Sequence, residues 1–344
     1  MFASATVPSH KMNLLLEKMT FWLKILVSVA LMTGIVWKFG GLREIGRLMA
    51  GFAPMFVFLV LVLYQLDRAL MTYKWTFLLR RRGMNLSLFR GMKIYCASMI
   101  WGMFLPSTVG ADAIRALGTS RAGLDSQEVV ASIVVERMIG FLSSLLLGLV
   151  SIVLLSRFGR FDEQFRIAWL GGGAVLFTAT AAFVVSFSRR AFEILHDRIL
   201  RRFRQNRIME RMRQFHFTYL SYREDKGTLS AFFGMTFAEQ FMPILHAWLI
   251  ARGLGIETGF LFFAGAVPLS LLVSRLPVSV NGIGVFEGIF VLLMSASGMS
   301  AAEAVAICLA GRILQTASWL PWWMADLTWA GDTRPSRPMP ARDG

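Results

Sequence analysis

Apolar residues run along this chain in long uninterrupted blocks rather than in alternation or at helical spacing, which is the pattern of segments surrounded by hydrocarbon. A helix needs about 20 such residues to cross roughly 30 Å of bilayer core. Blocks near 21–38, 52–79, 127–156, 167–188, 227–252 and 303–329 meet that length and predict six full crossings. Two further apolar regions, 88–122 and 258–298, are each interrupted by a Pro/Gly stretch: FLPSTVGADAIRALG from Phe104 and LPVSVNGIGVF from Leu276. Pro106, Gly110 and Pro277 are the expected helix breaks. The expected fold is therefore all-α, a polytopic membrane protein of about eight hydropathy segments.

The loops set the orientation. LLRRRGMNLSLFRGMK and the long arginine-rich segment 189–226 are the most basic connections, and the tail 331–344 carries Arg334, Arg337 and Arg342. The positive-inside rule puts all three in the cytoplasm, whereas the weakly charged loops at 252–258 and 296–302 fit the outside. Segment 88–122 must then enter and leave on the cytoplasmic side, and 258–298 on the outer side, so both are expected to be re-entrant hairpins. Free backbone groups at membrane depth are tolerated only inside protein or beside a wet cavity, so the breaks point to a cavity. Residues 1–40 hold three lysines before an apolar run with no small-residue cleavage site, which reads as an uncleaved first helix with a cytoplasmic N-terminus.

Laid over itself, the chain repeats. LPSTVGADAIR at 105–115 matches LPVSVNGIGVF at an offset of 171; Asp67, Lys74 and Arg80 fall opposite Glu239, His246 and Arg252 at 172; Glu128 and Arg137 fall opposite Glu303 and Arg312 at 175. Within one transmembrane domain, 1–330, the repeat halves are 21–156 and 167–329, entering from opposite faces. Secondary transporters commonly use such inverted repeats, with substrate near the midplane between broken helices.

Composition narrows the chemistry. With 56% hydrophobic residues, 17% charged and a mean hydropathy of +0.57, the chain is not a soluble protein. The net charge of +15 lies in short loops between apolar blocks, where it contacts lipid headgroups, so nucleic acid is excluded as a partner. Cys96 and Cys308 both fall inside apolar blocks and no metal-ligand cluster stands out, so no disulfide framework, metal or cofactor is expected. Glu136 and Arg137 fall about 15 Å into their crossing, and Arg312 at a similar depth in the last. Each such charge costs roughly 2.5 to 3.5 kcal/mol to insert. Either these residues form a structural ion-pair network, or the arginines hold an anionic group, since guanidinium forks suit phosphate. In the first hairpin Asp112 reads as an N-cap with Arg115 one turn on. In the second, Asn281, Gly282, Gly284 and Glu287 either let backbone N–H groups face an anion or form a plain kink with small residues for close packing. Glu239 and His246, seven apart on one helix face, are a possible proton relay. Asp67 and Arg68 read as structural, Trp319, Trp322, Trp323 and Trp329 as an interfacial belt, and 189–226 as an amphipathic helix on anionic lipid or a solvated basic loop.

FLPSTVGADAIRALGTSRAG, VVERMIG and LPVSVNGIGVFEGIFV together resemble the ordered motifs of the lysylphosphatidylglycerol synthase transmembrane family, also called flippase-like membrane proteins, over roughly residues 20–330. The resemblance implies a bacterial inner-membrane protein that moves or handles lipids, with membrane lipids, anionic or isoprenoid, as partners. By position it carries over Asp112, Arg115, Glu136, Arg137, Asn281, Gly282, Gly284 and Glu287 as substrate-binding positions, to which the midplane reading adds Arg312. Ala111 departs from the family's usual second glycine. The soluble aminoacyl-transfer domain of the synthases is not found after the last helix, so synthase activity, and enzyme activity altogether, is not expected. The rival readings are a small-anion or solute transporter using the same cavity, a membrane enzyme of lipid glycosylation, for which only Glu44 is available as an acid in the first outer loop, and a non-transporting scaffold for lipid synthesis.

Overall fold

The computed structural model describes residues 41–102, 109–158, 225–275 and 282–322 continuously, with isolated positions such as Tyr222 and Ser279 beside them. Most of 21–38, 167–188 and 189–226, all of 331–344, and the residues Pro106, Pro277 and Asn281 lie outside the described residues. All regular elements among the described residues are helices: α1 Leu42–Ala50, α2 Pro54–Arg81, α3 Leu88–Gly102, α4 Val109–Arg121, α5 Ser126–Phe158, α6 Lys226–Glu239, α7 Met242–Gly253, α8 Phe260–Ser274, α9 Val285–Ser295 and α10 Ala301–Ala317. Pro54–Arg81, Ser126–Arg157 and Ala301–Trp322 are long and apolar enough to cross a membrane.

Local chemistry sets the ends. α2 opens on Pro54, whose missing N–H would be unpaired in a first turn anyway. It closes through Gly83 at φ 74°, which lets the Met84 N–H reach back to the Leu79 carbonyl at 3.0 Å. Before α10, the Ser300 hydroxyl accepts the Glu303 N–H at 3.2 Å while the Glu303 carboxylate accepts the Ser300 N–H at 2.8 Å, a reciprocal cap.

The single crossing expected over 227–252 is two short helices of 14 and 12 residues. Pro243 in the first turn of α7 has no N–H to continue the ladder and disfavours helix in the residue before it, so the chain breaks at Gln240 and Phe241.

Both interrupted segments turn back on themselves. α3 and α8 have 15 residues each, about 22 Å of helix and too short for a crossing. α3 packs on α4 and α8 on α9. The close approach of each pair needs glycine: a Cβ on Gly102 would lie 2.6 Å from the Ala111 Cβ, and one on Gly282, at φ +71°, would lie 2.8 Å from the Ser274 Cβ. Gly110 is not at the break but is the second residue of α4, because the helix already resumes at Val109.

The repeat extends to element boundaries. Pro54 and Lys226, Arg81 and Gly253, Leu88 and Phe260, and Gly102 and Ser274 are each 172 residues apart; Ser126 and Ala301 are 175 apart. The left-handed glycines follow, Gly83 with Gly255 and Gly123 with Gly298. Packing repeats too: α2–α3, α3–α4, α4–α5 and α2–α5 have as counterparts α7–α8, α8–α9, α9–α10 and α7–α10. Where equivalents meet they run in opposite directions. Ala53 at the start of α2 donates to the Gly253 carbonyl at the end of α7, Tyr64 stacks on His246, and Lys74, late in α2, pairs with Glu239 in α6. Antiparallel equivalents require a pseudo-two-fold axis perpendicular to the helices, so the repeat is inverted.

Candidate functional site

Two ion pairs stand at equivalent positions of the two halves. Asp112 lies in the first turn of α4, and Arg137 of α5 donates to both its oxygens, Nε to Oδ2 at 3.0 Å and Nη2 to Oδ1 at 2.9 Å. Glu287 lies in the first turn of α9; it accepts from Arg312 Nε of α10 at 2.9 Å and from the Gly284 N–H at 2.6 Å. The partners of each pair are 25 residues apart, and the second pair follows the first by 175. Arg137 and Arg312 each sit eleven residues beyond the start of their helices, about 16 Å along. In helices related by inversion the two arginines therefore stand at equivalent heights measured from opposite ends.

The carboxylates are enclosed and the guanidiniums are open. Arg137 is 56% exposed and Arg312 33%, against 19% for Asp112 and 0% for Glu287. Asp112 is therefore not an N-cap: the helix begins three residues earlier and the side chain reaches across to α5. Gly284 does not offer its N–H to an anion, since that N–H is already taken by Glu287.

Arg115 and Glu136 differ from Arg137. They form an ion pair at 2.7 Å, with Asp112 at 3.5 Å from the same guanidinium. The guanidinium lies over the rings of Trp75 and Tyr95, at 4.8 and 4.9 Å. Both residues are buried, so this cluster plugs the first half instead of presenting a charge to a ligand. Glu239 and His246 each have a partner of their own on α2: Glu239 pairs with Lys74, whereas His246 stacks on Tyr64 with ring centroids 3.9 Å apart.

The second half holds a cavity of about 290 Å³ lined by α2, α7, α8, α9 and α10, with Asp67, His246 and Arg312 among its walls. Asp67 was read above as structural; its place here was signalled by its 172-residue match to Glu239. Arg68 is buried and lies over the Trp319 ring at 5.4 Å. Among the described residues no group of three or more His, Cys, Asp or Glu side chains is placed to hold a metal ion.

Helices in two inverted sets, three of them long and apolar enough to cross a membrane, define a polytopic α-helical membrane protein. Residues 21–321 match the family model described as the lysylphosphatidylglycerol synthase TM region, and the chain belongs to that family. It is also similar to a UPF0104 membrane protein of Methanothermobacter thermautotrophicus, 23% identical over 276 residues that cover 76% of this chain and 81% of the relative.

Proposed function

We propose that this protein translocates a lipid or lipid-linked substrate with an anionic headgroup, using Arg137 and Arg312 as headgroup grips on opposite sides of an alternating-access cycle. The observation that carries this reading is the equivalence of the Asp112–Arg137 and Glu287–Arg312 pairs across the inverted repeat. An arginine left alone at mid-depth costs roughly 2.5 to 3.5 kcal/mol. Exchanging its carboxylate for a phosphate trades one charge-assisted bond for another, while Asp112 keeps Arg115 at 3.5 Å and Glu287 keeps the Gly284 N–H, so the grip is reversible. The carboxylates thus shelter the arginines between cycles, the headgroup takes the polar route, and the apolar tails stay in the bilayer. The reading includes a bacterial inner-membrane location with both termini in the cytoplasm.

Mass spectrometry of lipids that co-purify in mild detergent tests it, comparing wild type with the Arg137→Ala, Arg312→Ala variant. Enrichment of one anionic or isoprenoid lipid over its membrane abundance, lost in the variant, is the expected result. Identical bulk lipid in both would reject the headgroup grips.

A further inference from the structure

The two halves share a backbone plan but not side chains, and the differences gather in one place. In the first half Trp75, Tyr95, Arg115 and Glu136 fill the space between α2, α3, α4 and α5. Their equivalents at offsets of 172 and 175 are Ala247, Val267, Phe290 and Gly311, and all four line the 290 Å³ cavity. Two of the four replacements remove most of a side chain and none carries a charge, so the second half is open where the first is plugged.

A second contrast falls beside that cavity. In the first half Lys74 bonds Thr236 at 3.3 Å and pairs with Glu239. The pseudo-two-fold axis carries Lys74 to His246, Thr236 to Tyr64 and Glu239 to Asp67. His246 accordingly lies against Tyr64, one helical turn from Asp67, but as an imidazole instead of an ammonium. His246 is 5% exposed, its Nε2 has no hydrogen-bond partner, and the ring is held by a bond to the Leu63 backbone, which leaves Nε2 as the free nitrogen. Asp67 has no ion pair or hydrogen bond among the described residues, and both side chains line the cavity. An unpaired carboxylate and an unpartnered imidazole nitrogen in one enclosed space are the two halves of an ion pair that lacks a proton.

We propose that Asp67 and His246 form a proton-binding couple, the titratable counterpart of the fixed Lys74–Glu239 pair, and that a proton is the co-substrate of this protein. The inference rests on the translocase reading for what the proton drives, but not for its binding. The proton adds to the Nε2 lone pair, and the imidazolium then pairs with the Asp67 carboxylate as Lys74 pairs with Glu239. The surroundings are enumerable. α2 also contributes Tyr64, Arg68 and Lys74, α6 contributes Glu239, α9 contributes Glu287, and α10 contributes Arg312 and Cys308. α8 brings Val267, Leu271 and Ser274, none of which titrates, and at its C-cap Arg275, whose charge acts on Glu239 and Arg137. Arg312 and Glu287 neutralise each other, as do Lys74 and Glu239, while Arg68 is directed at Trp319. Asp67 is left without an ion pair of its own, with the Arg68 guanidinium as the fixed positive charge near both it and His246, and an imidazolium at His246 would supply that pair.

The test uses the full chain in lipid with nitrogen-15 in its histidines, of which there are four. The resonance that vanishes in His246→Gln is followed against pH. In Asp67→Asn its proton affinity is expected to fall about tenfold or more, because an opposite charge nearby stabilises the imidazolium. A His246 signal that does not titrate, or a midpoint that Asp67→Asn leaves in place, overturns the couple. In phosphatidylcholine vesicles with labelled phosphatidylglycerol, a pH gradient is expected to speed lipid translocation several-fold in wild type and not in His246→Lys. Translocation indifferent to the gradient overturns the co-substrate role while leaving the translocase reading in place. Absence of any translocation removes that reading and the co-substrate role with it, and the nitrogen-15 titration alone then decides the couple.

Discussion

Glu136→Gln is the perturbation whose consequence follows most directly from the geometry. It leaves the Arg115 guanidinium buried without its partner at 2.7 Å, with only Asp112 at 3.5 Å to answer it. At an effective dielectric near 20, charges about 4 Å apart interact by about 4 kcal/mol, and breaking one side of a buried pair costs about 3 to 5 kcal/mol. The residual Asp112 contact puts Glu136→Gln at the lower end, about 3 kcal/mol. Arg115→Met should lose more, since it also abandons the Trp75 and Tyr95 rings, each a cation–π contact of about 0.5 to 2 kcal/mol. The double variant Arg115→Met, Glu136→Gln removes both charges together and should be less destabilised than the sum of its singles by at least about 2 kcal/mol. Reversible unfolding in mixed micelles, titrated with a denaturing detergent, measures all three. A loss under about 1 kcal/mol for Glu136→Gln, or additivity in the double variant, would show that the plug is not a coupled buried pair.

Three further outcomes follow from local geometry. Gly102→Ala forces a Cβ onto Ala111 and should destabilise by roughly 1 to 3 kcal/mol, whereas Gly234→Ala, inside α6 with nothing within 4 Å, should gain roughly 0.5 to 1 kcal/mol in the same unfolding assay. Gly282→Ala meets both the left-handed backbone and the Ser274 side chain, so hairpin accessibility to proteolysis should rise. At the α6 N-cap, outside the crossing, the Thr228 hydroxyl and N–H hold the Asp225 carboxyl below its usual range. That cap therefore stabilises above the ordinary aspartate range and is lost as pH falls through the depressed value; Asp225→Asn should abolish this acid-side dependence.

Hydropathy made the long elements legible, since α2 and α5 lie within two residues of the blocks at 52–79 and 127–156. It could not show the break at Gln240, because apolar composition continues through it and only Pro243 interrupts the hydrogen bonding. The charged residues were identifiable but their partners were not. Glu136 and Arg137 are adjacent in sequence, yet successive residues point about 100° apart around a helix. One therefore faces Arg115 and the other Asp112. The self-comparison held the missing information, because a contact in one half predicts its counterpart in the other, and the positions where that prediction fails mark where the halves have diverged.

That divergence can be reversed at one residue. Ala247 stands where the first half has Trp75, and the space a ring would occupy is part of the cavity. The Trp75 indole N–H is accepted by the Ser132 hydroxyl at 3.3 Å, but the position equivalent to Ser132 is Ile307, so a tryptophan at 247 would bury an unpaired donor. Phenylalanine avoids that. Ala247→Phe should raise stability by roughly 0.5 to 2 kcal/mol, the usual gain from filling a cavity, and at the same time abolish the His246 proton titration by filling the cavity that His246 lines. A variant less stable by more than about 1 kcal/mol would mean the ring has nowhere to go and the equivalence with Trp75 fails. A variant that is stabilised but still titrates would separate the cavity from the proton couple, leaving the imidazole to reach water by another route.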